Sequence, residues 1–80
     1  MSMYRYILPI AESKLSGRFD NVIDDIRSLI STGCTGGEIT SMVGKYLKDL
    51  ETTNQQVYEI LKDDILFYLN ECRKQGLYII

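Results

Sequence analysis

Carboxylates are the side chains in this sequence whose spacing most directly suggests a chemical role. Asp20 and Asp24 lie four residues apart and Asp25 is adjacent, so on a helix Asp20 and Asp24 share one face and repel each other. Binding of a basic partner would relieve that repulsion. The alternative is a solvated helix face, because acidic pairs are common on helices. The sequence leaves both interpretations of this acidic group open.

A second acidic stretch consists of Glu59, Asp63 and Asp64. Paired carboxylates can perform acid–base catalysis or bind a hard cation, but both roles need a cleft or further oxygens placed around the ion. No such spacing is present, and Lys62 makes the segment electrically mixed. We therefore expect a solvated face here, with no metal and no cofactor.

The segment from Gly33 to Gly37 contains three glycines, Cys34 and Thr35. Glycines before a helix can hold a phosphate, yet the Lys-Ser/Thr ending of a P-loop is missing. Cys34 near a helix start could act as a nucleophile, but the chain has no histidine to serve as its base. A tight turn with Thr35 as helix cap is the favoured interpretation, and we do not expect an enzyme.

Composition indicates one small folded domain over residues 1–80, with 45% hydrophobic and 25% charged residues. Nine basic against eleven acidic residues give a net charge of -2, which argues against nucleic-acid binding. No secretory signal is visible, so we expect a cytoplasmic protein with Cys34 and Cys72 as free thiols, although a disulfide between them remains formally open. The apolar runs are shorter than the about 20 residues of a membrane span.

Apolar spacing predicts three helices. The first runs from about Ala11 to Thr32, is followed by Gly33, and has its first turns weakened by Gly17. Its apolar stripe consists of Leu15, Phe19, Val22, Ile23, Ile26, Leu29 and Ile30. The second is capped by Thr35 and Glu38, and its stripe consists of Ile39, Met42, Val43, Tyr46, Leu47 and Leu50.

The third helix is predicted over about residues 54–75, with Thr53 and Gln56 as a second capping pair and Gly76 beyond its end. Its stripe consists of Val57, Leu61, Ile65, Tyr68, Leu69 and Cys72. At the termini, residues 4–8 resemble a short strand ended by Pro9, and residues 77–80 resemble either a strand that could pair with it or an apolar plug. The expected fold is mainly α, a compact three-helix antiparallel bundle with short strands at the two termini.

The third helix has more apolar and aromatic residues than a single buried face requires. Ile60, Leu66 and Phe67 fall outside its stripe, and Tyr58 adds apolar area with a polar tip that suits an interface. The predicted partner-binding residues are therefore Tyr58, Ile60 and Phe67, together with the acidic residues Asp20, Asp24 and Asp25.

Residues 29–39, with the sequence LISTGCTGGEI, and the later Tyr46 and Leu47 resemble small helical bacterial immunity proteins of contact-dependent or related toxin systems. The resemblance covers about a quarter of the chain and consists of a helix end, a turn and a capping box. It implies a protein that binds and neutralises a toxin, and it assigns no functional residue.

Our leading hypothesis is a non-enzymatic inhibitor of the immunity type that occludes a basic toxin domain. The alternative is a homodimeric structural or regulatory adaptor, bacterial or phage, that pairs through the third helix and the apolar termini. No nucleic acid or membrane is expected as a partner in either case.

Overall fold

The computed structural model describes residues 3–33 and 35–76, and these residues form four α-helices joined by short connections. The helices are α1 (Met3–Leu15), α2 (Asp20–Thr32), α3 (Gly36–Thr53) and α4 (Gln55–Lys74). The expected mainly α fold is confirmed, whereas the expected count of three helices is wrong. Across the described residues, none of the helices is long and apolar enough to cross a membrane.

The predicted strand at residues 4–8 is wrong, because this segment belongs to α1. Met3, Ile7, Ala11 and Leu15 repeat every four residues, and all four are buried. Pro9, expected to end a strand, lies at an exposed position inside α1, where it lacks the N–H that would bond to a preceding carbonyl. Burial of the apolar stripe outweighs that missing bond. The second predicted strand, residues 77–80, lies outside the described residues.

Gly17 divides the predicted first helix into α1 and α2. Its φ of 84° lies in the left-handed region, which glycine adopts without steric cost and which ends a helix. Asp20 Oδ1 accepts a hydrogen bond from the Gly17 N–H at 2.9 Å and so holds the turn. At the other end of α2, Gly33 follows the last helical residue, as predicted. A Cβ added at Gly33 would collide with the side chain of Ile39.

Polar caps fix the beginnings of α3 and α4. Thr35 Oγ1 accepts from the Glu38 N–H at 3.1 Å, which confirms the predicted cap of α3. The predicted cap at Thr53 is wrong, because Thr53 is the last residue of α3. Asn54 alone joins the two helices: its Oδ1 accepts from the Val57 N–H at 3.3 Å, while its own N–H donates to an α3 carbonyl. Asn54 is therefore both the C-cap of α3 and the N-cap of α4, so no other residue between the helices can act as a cap.

The pair α3 and α4 forms an antiparallel hairpin. The hydroxyl of Tyr68, late in α4, donates to the carbonyl oxygen of Thr40, early in α3, at 2.8 Å. Both residues are buried, so this bond fixes the register of the two helices inside the core. The short connection around Thr35 likewise places α3 antiparallel to α2, and Tyr46 of α3 bonds Asp25 of α2.

α1 closes the bundle between α2 and α4. Glu12 of α1 pairs with Arg27 of α2, and Lys14 of α1 pairs with Asp64 of α4 at 2.7 Å between nitrogen and oxygen. α1 also packs on α3, whereas the backbones of α2 and α4 do not come close to each other in the described residues. Within those ranges, α2 and α4 therefore occupy opposite corners of an antiparallel four-helix bundle.

All four helices contribute to one apolar core. The stripe predicted for the last helix is largely confirmed, since its buried members are Val57, Leu61, Ile65, Tyr68 and Cys72. Thr40 is the buried polar residue of α3, and its hydroxyl donates to the Gly36 carbonyl at 2.7 Å. The core therefore keeps its few polar groups hydrogen-bonded, as a stable interior requires.

Candidate functional site

The acidic residues of α2 lie on its exposed surface but have different neighbours. Asp20, the first residue of α2, holds the preceding turn through Gly17 and also places a negative charge at the helix N-terminus, where the dipole favours it. Asp24 lies one turn later and approaches Arg27 at 3.6 Å. Asp20 therefore combines a structural role with a position on the candidate surface.

Asp20 and Asp24 border a shallow depression of about 210 Å³ between α1 and α2. The side chains around it are Glu12, Ser16, Asp20, Ile23, Asp24 and Arg27. Arg27 pairs with both Glu12 and Asp24, and Asp20 lines the same depression, so its lining carries three carboxylates and one guanidinium. The depression is therefore net negative and would attract a cationic group of a partner.

Asp25 points to another part of the surface, toward α3. Its Oδ2 accepts a hydrogen bond from the hydroxyl of Tyr46 at 2.9 Å. Partial burial and the neighbouring Asp25 carboxylate raise the pKa of Tyr46 above its ordinary value of 10.0, which keeps the hydroxyl protonated and donating. Asp25 thus adds negative charge on the side of α2 that faces α3 and does not line the depression.

The aromatic group lies on α4. Phe67 is 47% exposed and its ring packs against that of Tyr6 of α1, with 5.0 Å between the ring centroids and an angle of 47° between the planes. The adjacent Leu66 is 49% exposed. Large apolar side chains exposed to this extent side by side are typical of a contact surface.

Ile60 and Tyr58 are less accessible than Phe67. Ile60 is partly buried against the core. Tyr58 is also partly buried, and its pKa is raised by desolvation and by the nearby carboxylates of Glu51 and Glu59. Phe67, together with Leu66, is therefore the main exposed apolar feature of α4.

The six predicted residues do not form one surface. Asp20, Asp24 and Asp25 lie on α2, whereas Tyr58, Ile60 and Phe67 lie on α4, and the backbones of these two helices stay apart within the described parts of the chain. A partner that covers one group from the outside would leave the other group exposed. The structure therefore offers two separate candidate surfaces, one acidic and one apolar.

Two features of these surfaces were missed in the sequence. Glu12 was not predicted as part of the acidic group, and Tyr6 was placed in a strand rather than beside Phe67. An apolar depression of about 300 Å³ at the bundle end was also missed, and the side chains around it are Tyr4, Arg5, Leu8, Pro9, Ile30 and Ile39. A helical pattern over residues 3–15 would have placed Tyr6 and Glu12 on one helix, whereas their neighbours on other helices depend on packing.

The two cysteines, which could react as thiolates, lie in the core or outside the described residues. Cys72 is fully buried, and burial raises the pKa of its thiol, which favours the unreactive protonated form. Cys34 lies outside the described residues. In residues 3–33 and 35–76, no three His, Cys, Asp or Glu side chains cluster in a way that could hold a metal ion.

Comparison with known proteins found no matching family model, no matching curated protein and no matching solved structure. The geometry of the two surfaces is therefore the basis for any functional assignment.

Proposed function

We propose that this protein is a non-enzymatic, protein-binding inhibitor of the immunity type, which neutralises a cognate bacterial toxin domain by occluding a basic surface on it. The observation that carries the proposal is the acidic depression between α1 and α2, which is lined by Glu12, Asp20 and Asp24 and by a single cation, Arg27. Asp25 adds a further exposed carboxylate on the same helix.

Electrostatic complementarity explains how such a surface would act. A net-negative surface accelerates the encounter with a basic partner and sets the orientation of the complex, while well-packed contacts near its centre slow dissociation. Ile23 lines the floor of the depression and could supply an apolar contact only after small rearrangements, because it is 4% exposed. Charged contacts at the rim therefore dominate recognition in this proposal.

The test uses the protein encoded by the gene immediately upstream as the toxin candidate. Co-expression of the wild-type chain should restore growth of cells that produce it. The variant Asp20→Asn with Asp24→Lys keeps an acceptor for the Gly17 N–H while it removes negative charge from the depression. We expect this variant to associate roughly 10-fold more slowly at low salt, with a smaller difference at high salt.

The matched control makes the same change in net charge on α3, through Glu38→Gln with Asp49→Lys, both at exposed positions. It should associate at nearly the wild-type rate. If the control slows association as much as the α2 variant, or if neither variant changes it, the acidic depression is not the recognition surface.

The homodimeric adaptor, the alternative from the sequence, would use a different part of the molecule. Leu66 and Phe67 are the observation that favours it, because they expose apolar area on α4, at the corner opposite α2. Self-association through α4 is compatible with inhibition through α2, since the two surfaces are separate.

A further inference from the structure

The exposed side of α4 carries an ordered sequence of charges around its apolar centre. We define the outer face of α4 as Glu59, Asp63, Leu66, Phe67, Asn70 and Lys74, all of them exposed. Their spacing of three and four residues places them on one side of the helix. On this face the acidic residues lie before the apolar pair and Lys74 lies after it, while the exposed Lys62 and Arg73 border the face beside Leu66.

We propose that the outer face of α4 is a homodimer interface in which α4 of one copy packs antiparallel to α4 of a second copy, across a two-fold axis that passes between Leu66 and Phe67. This inference goes beyond the inhibitory function proposed for α2 and does not depend on it. Two-fold dimers are the commonest oligomers, and they require a surface that is complementary to itself.

The charges on the outer face satisfy that requirement. Glu59 lies seven residues before Leu66, and Lys74 lies seven residues after Phe67. In the antiparallel arrangement, Glu59 of each copy therefore lies level with Lys74 of the other, and Asp63 lies level with Asn70. A parallel arrangement would instead place Glu59 opposite Glu59 and Lys74 opposite Lys74, which is repulsive.

The side chains at the centre and the rim are available for these contacts. Leu66 and Phe67 of both copies would meet at the axis, with Phe67 supported from behind by Tyr6. The Lys74 ammonium pairs with Glu71 of its own helix at 3.0 Å but keeps 68% of its side chain exposed. An ammonium has three donors, so Lys74 can bond Glu59 of the second copy without losing Glu71.

Sedimentation equilibrium of the full chain tests the proposal. The apparent mass should rise from 9.2 kDa toward twice that value as concentration increases from about 1 µM to about 1 mM. Leu66→Lys places a charge at the axis in both copies and should weaken dimerisation roughly 100-fold. Ser28→Lys, which adds the same charge at an exposed site on α2, should leave dimerisation unchanged.

A charge exchange gives the decisive comparison. Glu59→Lys and Lys74→Glu should each weaken dimerisation roughly 10-fold, because each sets like charges opposite one another at two symmetric positions. The double variant restores opposite charges and should return to within about 3-fold of the wild type. The two single charge variants and their double variant keep the test informative even if Leu66→Lys fails to fold.

Three results would overturn the proposal. The first is a wild-type protein that stays monomeric throughout the concentration range. The second is a dimer that Leu66→Lys does not weaken, and the third is a double variant that associates no more tightly than either single one.

Discussion

Removal of the Tyr68 hydroxyl tests the register of α3 against α4, the hairpin that carries the apolar candidate surface. In the wild type this hydroxyl donates to the Thr40 carbonyl at 2.8 Å in the core. Tyr68→Phe keeps the ring and removes the donor, so the carbonyl loses a partner where water cannot replace it. Such a loss costs about 1–2 kcal/mol of the free energy of unfolding.

Two other tyrosines provide controls with the same chemical change. Tyr46 donates to the exposed carboxylate of Asp25, so water can replace the lost bond and Tyr46→Phe should cost about 0.5 kcal/mol. Tyr58 is partly exposed, and Tyr58→Phe should stay within about 0.5 kcal/mol of the wild type. The expected order of destabilisation is therefore Tyr68→Phe first and the other two well behind.

Thermal and urea unfolding, followed by circular dichroism, measure these differences. For a chain of this length, about 1 kcal/mol corresponds to a change in Tm of about 4–8 °C, so Tyr68→Phe should lower Tm by about 5–15 °C. The urea m-value should not change, because the same surface is exposed on unfolding. If Tyr68→Phe is no less stable than Tyr58→Phe, the hydroxyl does not bond in the core and the α3–α4 register is wrong.

Three further predictions concern turns, caps and alkaline pH. Gly33→Ala should lower the free energy of unfolding by about 1–3 kcal/mol, because the added Cβ collides with Ile39 of α3. Gly37→Ala, with open space around the added Cβ, should be neutral or stabilise by up to about 1 kcal/mol. Equal effects in urea unfolding would contradict the close packing at Gly33. Asn54→Ala should lower the free energy of unfolding by about 1 kcal/mol and Thr53→Ala by much less. The reverse order in thermal unfolding would show that Thr53 caps α4. Burial raises the pKa of Tyr68 above its ordinary value of 10.0, so the unfolded chain releases this proton before the folded chain does. The stability that this group contributes is complete below pH 10 and falls as pH rises further. Wild-type stability should therefore decline more steeply above pH 10 than that of Tyr68→Phe. Parallel declines in urea titrations at several pH values would show that Tyr68 is not buried.

The helix stripes and one cap could be predicted from the sequence because they depend on local spacing. Buried residues of α3 and α4 recur at three and four residues, and the Thr35 cap depends only on Glu38 three positions later. Asn54 was missed because Thr53 and Gln56 offer the same local pattern one residue earlier. The choice between the two caps depends on where α3 ends, which packing decides.

The first helix shows how composition can mislead. Residues 4–8 are rich in aromatic and β-branched side chains, which favour a strand, and a proline at position 9 favours its end there. The spacing of Met3, Ile7, Ala11 and Leu15 favours a helix instead, and burial of that stripe against the other helices decides the outcome. Here hydrophobic periodicity was more informative than residue propensity.

The separation of the two candidate surfaces could not be predicted from the sequence. It depends on which helices are neighbours, and this is determined by contacts between residues far apart in the chain, such as Lys14 with Asp64 and Tyr6 with Phe67. The acidic character of α2 and the apolar surplus of α4 were visible in the sequence. Their location at opposite corners was not.

In the proposed function, the acidic surface of α2, together with Glu12 of α1, binds a basic protein partner. Amide chemical-shift mapping of the isotopically labelled chain, titrated with the protein encoded immediately upstream, tests it most directly. We expect shifts concentrated at Glu12, at the turn around Gly17 and along α2 from Asp20 to Arg27, with α4 unaffected. Shifts confined to α4, or no shifts at all, would contradict it.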